Sequence, residues 1–392
     1  MFKSRVLAMF FIVLLGVTTH AHAGQSETLT ITSAQFKTPI EYTVTLPNDY
    51  HSENKQDKRY YLHLDIHPRS QGYISQLNDW LSHNGEWPWP QTIVVTPKNY
   101  HSGFAKQFEQ LIHEPNNAVL LNYIEHDLLA SIDKQYRTNG FRTYSGFMGN
   151  AAFGLHILLN RPQLFTGYIL ASPTLGDNMF NISQSAIEKL KVKDDKLRYL
   201  YISIGGHPYE QNSIDAVKKF EYALSQAAPS TLEWQVVYNR TNNYMSQPII
   251  ALINGIEGLF ADKFTPLAAD SAISQQGADA IIAYYQQLSA KKYGFEVSAE
   301  GSLKHLAESW ITTEPNKAQA LFSRIIVLYP ESSYAQSSLA AFYASQGNLE
   351  QAIAAQQKAV EKAKNLVEWH QLKQQGQLEQ YQLQLAEQKA KQ

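Results

Sequence analysis

The stretch FRTYSGFMGNAAFGLHILLNRPQLF, Phe141 to Phe165, reads as a strand that turns sharply into an apolar helix. Acyl transfer uses such a turn to lift a nucleophile out of a sheet, with small residues on either side to relieve the strained backbone. Gly146 supplies the small residue two positions before the crest, Asn150 stands two after it, and Met148 stands where a serine would be needed. A thioether has no proton to give up, is no nucleophile of that kind, and fills the acyl site with its own bulk. Ser145 lies three strand positions earlier, roughly 10 Å away and on the opposite face at ~3.3 Å per residue. A displacement of only about 1 Å can cost on the order of 100-fold in rate. Ser145 is therefore not expected to replace the missing hydroxyl.

The elements that would carry this turn alternate in type. YYLHLDI, QTIVVTP, RTYSGF, GYILASP, LRYLYISIGG and LEWQVVY are short apolar runs ending in turn residues, separated by helical stretches such as NNAVLLNYIEHDLLASIDKQY and SIDAVKKFEYALSQ. Alternating strands and helices predict a mostly parallel sheet covered on both faces. LTITSAQFKTPIEYTVTLP adds two antiparallel strands at one edge. After Phe260 the strands stop and an Ala/Gln/Ser-rich helical region follows. There Ala318, Phe322 and Ile325 recur as Ala352, Gln356 and Ala359 at a period of 34 residues. That period, with Leu339, Ala340, Tyr343 and Gly347 between the copies, matches the tetratricopeptide pattern. About two copies are visible, too few to stand alone, so they are expected to pack on the main domain.

In Ile132 to Thr138, Arg142–Thr143, Pro162 to Phe165 and the following GYILASPTL, the sequence resembles the esterase D / enterochelin esterase-like family of α/β-hydrolases, from about Ile31 to Phe260. The resemblance implies an α/β-hydrolase fold with a mostly parallel sheet, followed by an all-α tetratricopeptide-like region, and a serine ester hydrolase activity. It puts Gly146 at the leading glycine, Phe147 at a histidine, Met148 at the nucleophile and Asn150 at a second glycine. Tyr244, in YNRTNNYMSQP, falls at the catalytic histidine, and no histidine occurs between His207 and His305. A phenol with a pKa of ~10 is a poor proton shuttle near neutrality. The acid falls in GGHPYEQNS, at Glu210 or, as a weaker candidate, Asp215. Backbone N–H groups of Gly149 and of Ile66 or His67 would form the oxyanion hole.

Other groups have blander readings. His63, Asp65 and His67 alternate along one strand face at a metal-like spacing, but the resemblance makes Asp65 an acid that is structural or at the pocket rim. His67 and His207, at strand C-terminal ends, are expected beside Met148 and Tyr244 as polar handles of a residual ligand pocket. His156 is expected in the core, and GEWPWP (Gly85 to Pro90) is expected to pack a loop over the domain.

The bulk properties set the limits. The 392 residues carry a net charge of −2, 44% hydrophobic residues and 23 Tyr, which supports a large core and gives no general attraction to nucleic acid. Cysteine is absent, which excludes disulfides, thiolate metal sites and a lipobox. Lys3 and Arg5, the apolar run VLAMFFIVLLGV and Ala21-His22-Ala23 form a secretory signal with cleavage expected after Ala23. The expected organisation is a signal peptide at 1–23, an esterase-like domain at 24–262 and a helical region at 263–392. The mature chain is expected to be soluble and periplasmic, with no cofactor, no metal and no membrane span. It would bind an ester-like ligand, or an envelope protein through its C-terminal helices, with a working ester hydrolase as the alternative.

Overall fold

The computed structural model describes residues 24–36, 38–83, 87–99, 118–176, 179–191 and 195–390. The expected signal peptide, and Gly85 and Glu86 of the Trp-Pro run, lie outside the described residues. Eight strands form one sheet: β1 Ser26–Ile31, β2 Ile40–Thr45, β3 Tyr60–Asp65, β4 Thr92–Pro97, β5 Thr138–Phe147, β6 Gly167–Ala171, β7 Arg198–Gly205 and β8 Leu232–Asn239. Their spatial order is β1-β2-β4-β3-β5-β6-β7-β8. β1–β2 and β2–β4 are antiparallel and every other neighbour is parallel, so the two edge strands expected from the sequence are present. Strands β3, β4 and β7 are buried at every position. That is why they read as continuous apolar runs without alternation.

One face of the sheet is covered by a continuous helical run, α2, made of Ala118–Asn122, a π turn Tyr123–Leu129 and Ala130–Gln135. Beside it pack α3 (Gly149–Asn160), α4 (Ile182–Leu190) and α5 (Gln211–Ala227). Helix α3 is apolar all round because it is enclosed all round: every residue from Ala151 to Leu159 is buried. Gly154 lets it sit close to the sheet, since a Cβ there would come within 2.5 Å of the Leu170 side chain.

The opposite face is covered by α1 (Ser70–Ser82), α6 (Gln247–Leu259) and the start of the helical region. That region comprises α7 (Ala278–Leu288), α8 (Glu300–Ser309), α9 (Pro315–Leu328), α10 (Ser333–Ser345), α11 (Leu349–Ala363) and α12 (Glu368–Ala390). A single apolar cluster runs from Tyr61, Phe141 and Tyr199 on the sheet through Ile281 and Leu303 to Phe322 and Phe342. The helices therefore complete the core of the sheet. Lys292 fastens the joint by donating to Asp262 Oδ2 at 2.6 Å and to the Leu259 carbonyl at 2.7 Å, while Tyr293 donates to Asp262 Oδ1 at 2.6 Å. In α9 and α11, whose first residues are 34 apart, Ala318 and Ala352, Phe322 and Gln356, and Ile325 and Ala359 are all buried. No helix among the described residues is long and apolar enough to cross a membrane.

Candidate functional site

Met148 sits at the crest between β5 and α3 with φ 57 and ψ −120, a conformation that side chains with a Cβ avoid. Holding a residue there costs on the order of 1–3 kcal/mol, so the surroundings must impose it. Three backbone bonds do so: the Met148 N–H donates to the Ala171 carbonyl at 3.0 Å, and the Met148 carbonyl accepts from Ala152 at 3.0 Å and Thr174 at 3.2 Å. Gly146 makes the turn passable, because a Cβ there would lie 2.7 Å from the Asn150 backbone. The side chain is partly open, with 38% of Met148 exposed.

Tyr244, in the turn after β8, donates from its hydroxyl to Met148 Sδ at 2.5 Å. The two positions where the resemblance implies a serine and a histidine are thus in direct contact, as a thioether and a phenol. Aromatic neighbours fix the Tyr244 ring: His207 stacks on it at 5.1 Å, Phe147 tilts against it at 5.0 Å and Tyr209 meets it edge-on at 5.6 Å. Burial, followed by the nearby negative charge of Glu210, raises the Tyr244 pKa. The phenol remains a hydrogen-bond donor at neutral pH.

Glu210 is buried below this cluster at the start of α5. Oε1 accepts from Ser172 Oγ at 2.5 Å and from the Gly205 N–H at 2.8 Å, and Oε2 accepts from the His207 N–H at 2.9 Å. These bonds make it a loop-fixing carboxylate. Ser172, at the end of β6, is itself held at φ 47. His207 Nδ1 accepts from the Tyr209 N–H at 3.3 Å, which leaves the proton of the neutral ring on Nε2. Asp215 is exposed and pairs with Lys218 on α5 at 3.1 Å, away from the Met148 contact.

On the other side of the turn, the His67 N–H donates to Asp65 Oδ1 at 2.8 Å and His67 Nδ1 accepts from the Arg69 N–H at 3.2 Å. The His67 N–H, expected as one oxyanion donor, is taken by a carboxylate. Burial and then Arg69 lower the His67 pKa. Ile66 is buried at the end of β3. Gly149 is the first residue of α3, where the helix geometry leaves N–H groups without an internal acceptor.

A second serine–histidine contact lies inside the molecule. The register of β3 on β5 pairs His63 with Thr143 and Asp65 with Ser145. His63 Nε2 is 2.9 Å from Ser145 Oγ, His63 Nδ1 is 2.8 Å from Thr143 Oγ1, and Ser145 Oγ is 2.6 Å from Asp65 Oδ2. Burial lowers the His63 pKa to about 3 and raises that of Asp65 to about 6, with bonds from Ser145 and the His67 N–H working against the rise. At neutral pH the ring is uncharged and the carboxylate can only accept, so Ser145 must donate to Asp65. His63 Nε2–H then donates to Ser145, while His63 Nδ1 faces the Thr143 hydroxyl, which also has the Leu62 carbonyl as an acceptor at 3.2 Å. Protons are directed toward the carboxylate, and the imidazole is a donor to the serine where a nucleophile would need a base. His63 is fully buried under the Trp89 ring at 5.6 Å, and Ser145 is 5% exposed.

Strand alternation sets Ser145 on the face away from Met148, and the resemblance makes Asp65 structural or rim-lining, but only the register of β5 on β3 joins His63, Ser145 and Asp65 in one network. The period-2 spacing of His63 and Asp65 was visible in the sequence, whereas their partners depend on which strand lies beside β3. Among the described residues no group of three or more His, Asp or Glu side chains is placed to hold a metal. His156 is buried, stacked on Phe180 at 4.6 Å. Trp89 is in the core, and Trp87 is exposed.

No family model and no curated protein matches the sequence. Among solved structures, an IroE-like serine hydrolase from Shewanella oneidensis is similar at 21% identity and TM-score 0.56, over 76% of this chain and 98% of that one. An uncharacterised protein from Capnocytophaga ochracea is similar at 13% identity and TM-score 0.61, over 92% of this chain and 100% of that one. A siderophore hydrolase from Aspergillus nidulans is similar at 16% identity and TM-score 0.50, over 62% of this chain and 97% of that one. A span of 92% cannot be reached without the helical region, so the Capnocytophaga structure shares the sheet together with its helices. These likenesses are ones of fold, and the chain has an α/β-hydrolase fold.

Proposed function

We propose that this α/β-hydrolase-fold chain binds an ester-like ligand or an envelope protein without hydrolysing an ester, its serine–histidine pair having been replaced by Met148 and Tyr244. The observation that carries the reading is the 2.5 Å contact between the Tyr244 hydroxyl and Met148 Sδ at an intact strand-to-helix elbow. The elbow geometry supports a site inherited from a hydrolase. Neither side chain at its crest supports proton removal or attack on a carbonyl. What such a crest offers a ligand is an apolar sulfur, a phenol and the stacked rings of His207 and Tyr209.

The N-terminal basic and apolar pattern supports export to the periplasm, and the 34-residue recurrence supports a tetratricopeptide-like role for the helices in holding a partner. The second reading is a working ester hydrolase built on Ser145 and His63, and their 2.9 Å contact favours it. Burial and the proton direction in that network weigh against it.

The mature chain assayed on short aryl esters separates the two readings. The expected result is hydrolysis at the rate of the uncatalysed background, unchanged in Ser145→Ala. Turnover above background that is lost in Ser145→Ala, Glu210→Ala or Tyr244→Phe would establish the hydrolase reading. The double variant Met148→Ser with Tyr244→His is expected to show more turnover than the wild type, because it returns the two missing groups to positions already in contact.

A further inference from the structure

We propose that Met148 is an oxidation site whose thioether takes one oxygen atom from hydrogen peroxide and becomes predominantly a single sulfoxide epimer, selected by Tyr244. The described residues contain three methionines: Met148, Met179 and Met245. Met179 packs against the apolar core, Met245 is 68% exposed and Met148 is 38% exposed. Exposure alone would rank Met245 first and treat both lone pairs of each sulfur alike.

Met148 differs in how its sulfur is held. The backbone at the crest is fixed by the bonds to Ala171, Ala152 and Thr174. The Tyr244 hydroxyl lies on the sulfur at 2.5 Å, with its ring clamped by His207 and Phe147. The two lone pairs of a thioether sulfur are prochiral. The phenol covers one of them, and peroxide reaches the other.

The chemistry is a two-electron oxygen transfer. The peroxide O–O bond breaks and an S–O bond forms. Sulfur is oxidised from thioether to sulfoxide, and the other peroxide oxygen is reduced and leaves as water with both protons. Position gives the product a particular meaning at this elbow. Sδ stands two bonds beyond Cβ, as the acyl carbon does in an acyl-serine, so a sulfoxide oxygen on it occupies a place equivalent to that of an oxyanion. The crest changes from apolar to strongly hydrogen-bonding. This inference concerns the sulfur itself and does not rest on the binding reading above.

The test treats the folded full-length mature chain with hydrogen peroxide and follows each methionine peptide by mass spectrometry. The two sulfoxide epimers are resolved chromatographically and by reductases specific for each epimer. Expected are conversion of Met148 at peroxide concentrations that convert Met245, an epimer ratio of about 10:1 at Met148, and near 1:1 at Met245. In Tyr244→Phe the Met148 ratio is expected to fall toward 1:1, because both lone pairs become accessible. A wild-type ratio near 1:1, no conversion at Met148, or a bias unchanged in Tyr244→Phe would each overturn the proposal. The wild-type ratio decides the matter even if the variant folds poorly.

Discussion

The buried contact between His63 and Ser145 is where the functional reading is most exposed to refutation, and its pH response can be worked out. His63 has a folded pKa depressed from 6.5 to about 3 by burial. Between those values the unfolded chain holds a proton that the folded chain lacks, so this residue makes stability rise with pH. Asp65 has a folded pKa raised from 3.8 to about 6. Between those values the folded chain holds the extra proton, so Asp65 makes stability fall as pH rises. On acidification from pH 6.5 to 4, at ~1.36 kcal/mol per pH unit, His63 costs about 3 kcal/mol and Asp65 returns about 3 kcal/mol. In the wild type the two slopes nearly cancel.

Substituting one partner uncovers the slope of the other. Over the same interval Asp65→Asn should lose about 3 kcal/mol more than the wild type, and His63→Asn should lose about 3 kcal/mol less. Both variants also lose about 1–3 kcal/mol at neutral pH from unpaired buried groups. The assay is urea denaturation by tryptophan fluorescence from pH 4 to 7, compared as differences from the wild type so that other titrating groups, including buried His156, drop out. Parallel pH curves for all three proteins would refute the buried-network assignment. They would mean that His63 titrates near its ordinary value and is open to solvent, as a catalytic base needs to be.

Two further outcomes test how the site is supported. Lys292→Met removes the cation from a pair whose side chains are 3% and 18% exposed and leaves Asp262 bonded to Tyr293 without its counter-charge. A loss of about 3–5 kcal/mol is expected, read as a lower thermal midpoint together with faster proteolysis of the helices after Ala278. Gly146→Ala sets a Cβ 2.7 Å from the Asn150 backbone and should cost about 1–3 kcal/mol, whereas Gly149→Ala meets nothing within 4 Å and should be neutral or slightly stabilising in a urea melt.

The fold was legible because both faces of the sheet are buried. That produces the apolar runs of β3, β4 and β7 and the fully apolar α3, patterns that survive in a single sequence. The Met148 and Tyr244 positions were legible for a different reason: the elbow and the loop after the last strand occupy recognisable places in the chain order, and the structure brings the two side chains into contact. The His63–Ser145–Asp65 network was not legible. It depends on β5 lying beside β3 in one register, and residues 80 apart in sequence carry no local mark of that pairing. The fate of the His67 N–H was hidden similarly, because Asp65 could reach it only through a particular turn after β3.

The strained crest separates two properties that are easily confused. Strain at an elbow is commonly tied to the need to expose a nucleophile, yet here the conformation persists at a methionine. Its causes are structural: the Met148 N–H extends the β5–β6 pairing to Ala171, its carbonyl starts the hydrogen bonding of α3 through Ala152, and Gly146 lets the chain pass Asn150. None of these contacts involves the side chain at position 148. The elbow is therefore a consequence of joining a central parallel strand to a buried helix, and the choice of side chain at its crest is free to vary. At this crest a thioether faces a phenol, a contact that holds the two side chains together without a hydroxyl or an imidazole at the positions of Met148 and Tyr244 other than the phenol's own.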